Sequence, residues 1–246
     1  MSDLVTVKHL HKEYDGNTVL KDISLSVKKG EVVVIIGPSG CGKSTFLRCL
    51  NGLEEINSGE ITVDDVPVRA GSDEISRVRQ KIGMVFQSYE LFPHKTVLEN
   101  LLLAPRIVQK RDRKEAEAEA LQLLEKVGLS DKKDYYPRQL SGGQRQRVAI
   151  VRALIMHPEV MLFDEVTAAL DPEMVHEVLR TMLELAKSGS TMIIVTHEME
   201  FARAVADRIV FFDEGDIVEE SEDVDGFFRH PDTERAQKFL KTFSYE

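Results

Sequence analysis

The chain has 246 residues, 30% of them charged, and its 32 basic and 42 acidic residues leave a net charge of -10. That length buries a substantial core in one large or two modest domains, and the acidic balance argues against a nucleic-acid groove as the main surface. No apolar run approaches the roughly 18 residues of a membrane span, and Met1-Ser2-Asp3-Leu4 lacks the basic-then-apolar opening of a signal peptide, so any membrane link is expected to run through a partner.

Leu4-Val5-Thr6-Val7 predicts a strand, and Ile23, Leu25 and Val27 alternate with Ser24 and Ser26 as a second, half-buried one. Between them lies Tyr14-Asp15-Gly16-Asn17, a loop headed by an aromatic. Tyr14 either packs locally or stacks on a base, and its residues alone favour packing. His9 and His11 form an H-x-H that nothing nearby completes into a metal set, so they read as ordinary surface or strand histidines. Lys28-Lys29-Gly30 turns the chain into Val32-Val33-Val34-Ile35-Ile36, a buried β-branched strand.

Gly37-Pro38-Ser39-Gly40-Cys41-Gly42-Lys43-Ser44-Thr45 follows, a complete G-x-x-x-x-G-K-[ST] phosphate-binding loop, and Phe46-Leu47-Arg48-Cys49-Leu50 opens a helix. Strand, glycine loop and helix are the context that confirms the motif. The glycines let backbone N–H groups close around a phosphate chain. The helix N-terminus adds about half a positive charge there. Lys43 is expected to reach the β- and γ-phosphates, and the Ser44 hydroxyl to ligand Mg²⁺. Cys41 and Cys49 are separated too far for a disulfide and fit a reducing cytosol. Cys49 reads as a small core residue. Cys41 reads as packing ahead of an oxidation-sensitive thiol.

Glu60–Val63 and Val66–Val68 predict a hairpin around Asp64-Asp65, and Ile82–Phe86 a buried strand ending at Gln87. Ligands gather at such strand ends in open α/β sheets. From about residue 88 to 157 the pattern is helical. Arg111–Val127 predicts a helix with Ala120, Leu123, Leu124 and Val127 on one face and Gly128 as its stop. The alternating Glu and Ala of 115–120 read as a solvated face. Leu140-Ser141-Gly142-Gly143-Gln144 opens another helix, with Ser141 as N-cap and following glycines that leave N–H groups open to an anion.

Val160–Asp164 predicts a third buried strand, ending in Asp164 and Glu165. Strand alternation points those two carboxylates in different directions, one toward Mg²⁺ and one toward a water. Asp171-Pro172 starts a helix, with Asp171 as cap and Val175, Val178, Leu179, Met182 and Ala186 as its core stripe before Gly189. Met192–Val195 is a fourth buried strand, and His197 follows it. Alone, His197 reads as a satisfied histidine at a strand end. A hairpin around Asp213-Glu214-Gly215 and a helix near Thr233–Thr242 close the chain. There are no repeats, low-complexity stretches or flexible linkers.

The phosphate loop alone indicates only a nucleotide hydrolase. Together with Leu140-Ser141-Gly142-Gly143-Gln144, Gln87, the Asp164-Glu165 strand end, Ala169-Leu170-Asp171 and His197, in this order and spacing, the chain resembles an ATP-binding cassette (ABC) subunit along its whole length. The resemblance implies an α/β fold: a P-loop NTPase (RecA-like) core over roughly 1–87 and 158–246 with an antiparallel β subdomain, and a helical subdomain over 88–157 carrying the LSGGQ signature, all in one domain spanning 1–246. It implies a homodimer sandwiching ATP and Mg²⁺, each ATP held on residues 37–45 of one copy and capped by 140–144 of the other. Ser141 and Gly143 would donate to the opposite γ-phosphate. Tyr14 matches the aromatic that stacks on adenine, reversing the local reading. Gln87 matches the residue that touches Mg²⁺ and attacking water and relays nucleotide state to a membrane partner. Asp164 matches the Mg²⁺-organising acid, Glu165 the general base, His197 the γ-phosphate switch and Asp171 the acid crossing the dimer interface. Val166 stands where the family usually has Pro, and Ala168 where it often has Ser; no catalytic group is lost.

Residues 41–51, 86–100, 227–231 and 234–240 further resemble the polar amino-acid uptake branch, with Glu90 where that branch commonly has Asn. This implies an importer ATPase on the cytoplasmic face of the membrane, bound peripherally to permease subunits, with an extracytoplasmic solute-binding protein acting indirectly and no nucleic acid. The competing readings are another importer or an exporter, a soluble cassette protein of ribosomes or DNA, and a small-molecule kinase. Soluble cassette proteins usually carry two cassettes or a long coiled-coil insertion, and a kinase does not need LSGGQ.

Overall fold

The computed structural model describes residues 3–72 and 74–243, so the two ends of the expected 1–246 domain, with Met1 and Ser2 of the opening segment, lie outside the described residues. In chain order, β1 (Asp3–Tyr14) and β2 (Asn17–Lys28) form a long hairpin, and β3 (Val32–Ile36) leads through the glycine loop into α1 (Lys43–Leu50). A second hairpin, β4 (Ser58–Val63) and β5 (Val66–Pro67), precedes α2 (Ile75–Lys81), which runs directly into β6 (Ile82–Val85). Helices α3 (Val97–Ile107), α4 (Arg113–Lys126) and α5 (Gly142–Leu154) follow. Then come β7 (Val160–Asp164), α6 (Pro172–Lys187), β8 (Thr191–Val195), α7 (Met199–Val205), the hairpin β9 (Arg208–Asp213) and β10 (Asp216–Ser221), α8 (Val224–Arg229) and α9 (Glu234–Lys241).

Two sheets organise these elements. One is antiparallel, in the order β2-β1-β4-β5; the other runs β10-β9-β3-β8-β7-β6. In the second sheet β9, β3, β8, β7 and β6 are parallel neighbours, and only β10 pairs antiparallel at the edge. Burial on both faces explains why β3, β7 and β8 are near-continuous apolar runs. Val33 and Ile35 enter the cluster shared with the antiparallel sheet and α1. Val32, Val34 and Ile36 enter the cluster shared with α6, α7, α8 and α9. Each such side chain stabilises by about 1.5–3 kcal/mol relative to exposure. Helices α3, α4 and α5 enclose a third apolar cluster of their own, centred on Leu101, Ala120, Leu124 and Val148.

Several local expectations change. Helix α1 begins at Lys43 rather than Phe46, so Lys43, Ser44 and Thr45 form its first turn. Residues 86–96 are not helical; the capping box of Thr96 and Glu99 starts α3 only after them. Helix α4 starts at Arg113, capped by the Asp112 carboxylate, not at Arg111. The Glu/Ala stretch is not simply solvated. Ala116 and Ala120 are buried with Leu124 at helical spacing, while Glu119 pairs with Arg111 and His157. Of the expected α6 stripe only Val178 and Met182 are fully buried. Val175 and Leu179 line an open groove with Phe201. Helices α2, α7 and α8 were not predicted as elements.

Candidate functional site

The parallel pairing brings the carboxyl ends of β3, β8, β7 and β6 to one edge of the sheet. The loop 37–42, His197, Asp164 with Glu165, and Gln87 leave from those ends. The loop is held open by its glycines: Gly37, Gly40 and Gly42 have φ of 153°, 80° and 104°. Gly42 ends it in the left-handed region and serves as the N-cap of α1, with no side-chain cap on the helix start. The first N–H groups of the helix thus have no capping side chain and suit an anion held by the loop.

Lys43 is only 3% exposed. Its ammonium donates to the carbonyls of Gly37 at 2.9 Å and Pro38 at 2.8 Å, and lies 3.8 Å from Glu165 Oε1. Beside it, Ser44 Oγ donates to Asp164 Oδ1 at 2.6 Å. Burial pushes the Asp164 carboxyl above its usual range, against the opposing pull of the Ser44 hydroxyl and the Arg48 charge. Ser44, Arg48, Phe86, Gln87, Ser88, Glu90 and Asp164 line a cleft of about 470 Å³. Arg48 was missed by sequence reasoning, although its place one helical turn after Ser44 is a signal for it.

Asp164 and Glu165 do reach different partners, but not through strand alternation. β7 ends at Asp164, and Glu165 takes a left-handed φ of 46°. Its N–H donates to Val195 O at 3.0 Å, tying it to the end of β8. Two residues beyond Val195, His197 places Nε2 3.0 Å from Glu165 Oε1. That hydrogen bond holds the Glu165 carboxyl below its ordinary range, against the opposing effect of burial. The expected base and histidine therefore meet, with the Lys43 ammonium beside them.

Tyr14 is 39% exposed at the end of β1, with Lys12 Nζ 4.3 Å from its ring centre. Desolvation and the nearby Glu54 carboxylate push its phenol up to about 12, and the Thr45 hydroxyl acts on the same oxygen in the opposite sense. The ring therefore stands beside α1, partly exposed. Both cysteines are free and buried. Burial pushes Cys41 up in direction and Cys49 up to about 12, so packing rather than thiolate chemistry describes them.

Leu140–Gln144 stand apart from this cluster, against α6 and Tyr89. Ser141 Oγ accepts from Gln144 N at 3.2 Å, and Gln144 Oε1 accepts from Ser141 N at 3.0 Å, so the expected cap is a full capping box. The open N–H groups expected after it are fewer than predicted: Gly143 N faces the Met174 sulfur at 3.3 Å. Asp171 occupies the N-cap position of α6 with Pro172 behind it, but its carboxylate makes no capping hydrogen bond and is exposed. Val166 is 4% exposed and packs in the core beneath the Glu165 turn. No helix among the described residues is long and apolar enough to cross a membrane.

Residues 20–168 match the family described as "ABC transporter". The chain is 57% identical to the glutamine transport ATP-binding protein GlnQ of Bacillus subtilis, over 96% of this chain and 98% of that one. It is 55% identical to the glutamate/aspartate import ATP-binding protein GltL of Escherichia coli, with the same coverage. Among solved structures, the dimeric bacterial ABC transporter cassette MJ0796 superposes with a TM-score of 0.79 at 36% identity, covering 88% of this chain and 97% of that one. CbiO1 from Clostridium perfringens, part of the ABC transporter complex cbiONQ, gives 0.83 at 30% identity, covering 98% and 96%. With the phosphate loop, the strand-end acids and the capped Leu140–Gln144 helix start in the family's order, the chain belongs to the ABC transporter family as an ATP-binding, ATP-hydrolysing subunit.

Proposed function

We propose that this ATPase powers the uptake of polar amino acids through a partner permease, working as a homodimer on the cytoplasmic face of the membrane, with a solute-binding protein supplying the permease from outside. The observation that carries the chemistry is the meeting of Lys43, Ser44, Asp164, Glu165, His197 and Gln87 at one sheet edge. The transport role draws on relatives that transport glutamine and import glutamate or aspartate.

The parts divide the work of phosphoryl transfer, which needs positioning and charge neutralisation more than covalent chemistry. Residues Gly37–Thr45 wrap the phosphates, and Lys43 turns its ammonium from the loop carbonyls to the β- and γ-oxygens. Tyr14 offers its ring to adenine. Glu165, kept ionised by His197, accepts a proton from the attacking water. His197 donates toward the γ-phosphate. Ser141 and Gly143 of the opposite copy cap that phosphate, and Asp171 meets the facing subunit.

Mg²⁺ takes hard oxygen ligands and is commonly held by one or two protein groups plus phosphate oxygens and water. The Ser44 hydroxyl and the Asp164 carboxylate, hydrogen-bonded in the same cleft as Gln87, fit that donor set. These three residues would hold the ion, which would neutralise charge on the β- and γ-oxygens. A site shared between copies is incomplete until both close, which couples hydrolysis to a large motion of the permease.

Glu165→Gln tests the base. Turnover is expected to fall by about 100-fold or more, while MgATP still binds and an ATP-loaded dimer accumulates on size exclusion. Wild-type turnover in this variant would remove Glu165 from the role. Purification from native membranes in mild detergent tests the transport reading. A multi-span permease should co-purify; recovery only with ribosomes or DNA would leave the ATPase and overturn the importer.

A further inference from the structure

Phe86–Glu90, the segment that carries Gln87, belongs to no strand or helix. Its backbone is disfavoured: Tyr89 and Glu90 are consecutive non-glycine residues with φ of 62° and 50°. Such conformations persist only where the surroundings over-determine them. Here the surroundings are largely one helix. From α5, Gln146 Nε2 donates to Phe86 O at 3.2 Å. Arg152 donates Nη2 to Tyr89 O at 3.1 Å and Nη1 to Glu90 O. The Arg145 guanidinium sits 4.9 Å from the centre of the Tyr89 ring, in cation–π range. The phenol oxygen lies at the start of the same helix, 3.2 Å from where a β-carbon would stand on Gly142. Inside the turn, Ser88 Oγ donates to Glu90 Oε1 at 2.6 Å.

Tyr89 is thus held at its ring and its carbonyl, with its hydroxyl against the helix start, and it joins none of the three apolar clusters. Packing alone does not explain an aromatic kept in left-handed backbone. We infer that Tyr89 is a positioning residue for ATP hydrolysis: by clamping the Phe86–Glu90 turn onto α5 it fixes where Gln87 stands in the Ser44–Asp164 cleft. This rests on the reading of Gln87 given above. It also gives α5, the helix headed by Ser141, a direct hold on the opposite end of the nucleotide cleft, through the ring of Tyr89 and the guanidinium groups of Arg145 and Arg152.

The test is MgATP turnover by the full purified chain, with nucleotide affinity measured separately by titration with a fluorescent ATP analogue. Tyr89→Leu keeps bulk and removes the aromatic face. It is expected to lower kcat by about tenfold while affinity changes by less than about threefold. Tyr89→Phe keeps the face over Arg145 and is expected within about twofold of wild type. Because Tyr89 acts through Gln87, the double variant Gln87→Ala/Tyr89→Leu is expected to be no slower than Gln87→Ala alone. Arg145→Met removes the cation without touching the turn and is expected to match Tyr89→Leu, with an unchanged thermal midpoint; this keeps the inference testable if Tyr89→Leu does not fold. Wild-type kcat in the Leu or Met variant, multiplying losses in the double variant, or an equal loss in Tyr89→Phe would overturn the role. A wild-type chain that does not turn over MgATP would instead overturn the ATPase reading beneath it.

Discussion

The glycine-bearing starts of α1 and α5 are built in opposite ways. At the first, Gly37, Gly40 and Gly42 all have positive φ, and Gly42 caps α1 without any side-chain hydrogen bond. At the second, Ser141 caps α5 with a reciprocal capping box, and neither Gly142 nor Gly143 has positive φ. The first uses glycine for conformation. The second uses it for space: a β-carbon on Gly143 would fall 2.9 Å from Met174 Cβ. The consequence is chemical. The first start has no side-chain cap on its N–H groups, which suits the proposed phosphate cradle in a single copy. The second has bonded its N–H at Gln144 to Ser141 and set that of Gly143 against a sulfur. It is a poor anion site in a single copy, in keeping with the proposed role, in which a second copy brings the γ-phosphate.

The sharpest way to break this contrast is to add one methyl group to each start. Gly42→Ala has to adopt a φ of 104° with its β-carbon 2.9 Å from the backbone oxygen of Val19. Strain of that kind is expected to weaken MgATP binding by about 100-fold. Gly142→Ala meets the movable end of Leu170, at 2.8 Å, in ordinary helical backbone. Its effect on binding to the single chain is expected to stay within about threefold. Equal losses measured by titration would show that the two starts are not distinct. Next in size is Ser141→Arg, which places bulk and positive charge at the proposed seam. Hydrolysis should fall by about tenfold or more while the single chain still binds ATP; loss of binding would mean misfolding or another role. Smaller again is Ser141→Ala, which removes one half of the capping box. It should cost about 1 kcal/mol and lower the thermal midpoint by about 2–4 °C, with nucleotide affinity unchanged.

The same contrast explains what was legible beforehand. The first start and its partners were readable because buried parallel strands are continuous apolar runs, so Gln87, Asp164, Glu165 and His197 announce themselves as the polar residues at run ends. Pairing then brings those ends together, which the element order alone made expected. What stayed hidden was set by contacts between distant segments. Nothing in Ser88-Tyr89-Glu90 signals left-handed backbone, since no glycine marks it; Arg145 and Arg152 of α5 hold it. The apolar period of α6 was correct in direction but silent about coverage, which is why Val175 and Leu179 line a groove. Alanines interleaved with glutamates looked solvated because charge masked the spacing of Ala116, Ala120 and Leu124. Asp171 sits at the N-cap position, yet residue type alone could not say that its carboxylate leaves the helix start unbonded.

A further prediction separates the two regions by pH. The β1–α1 region holds both cysteines, in the loop and α1, and Tyr14 beside them, whereas α5 and its cap contain no cysteine or tyrosine. Burial raises the Cys49 thiol from its ordinary value of 9.0 to about 12. The folded state therefore holds that proton more tightly than the unfolded state. Stability is fully present below pH 9 and falls as pH rises toward 12, because the unfolded chain ionises first. Tyr14, raised from 10.0 to about 12, acts in the same direction over a narrower window, and its partial exposure makes its share the lesser one. Thermal midpoints followed by circular dichroism from pH 8 to 11 should decline above pH 9. Cys49→Ala should start lower, because a buried sulfur is lost, and then decline less steeply. Parallel curves for the two proteins would mean that the thiol does not govern the alkaline limit of this region.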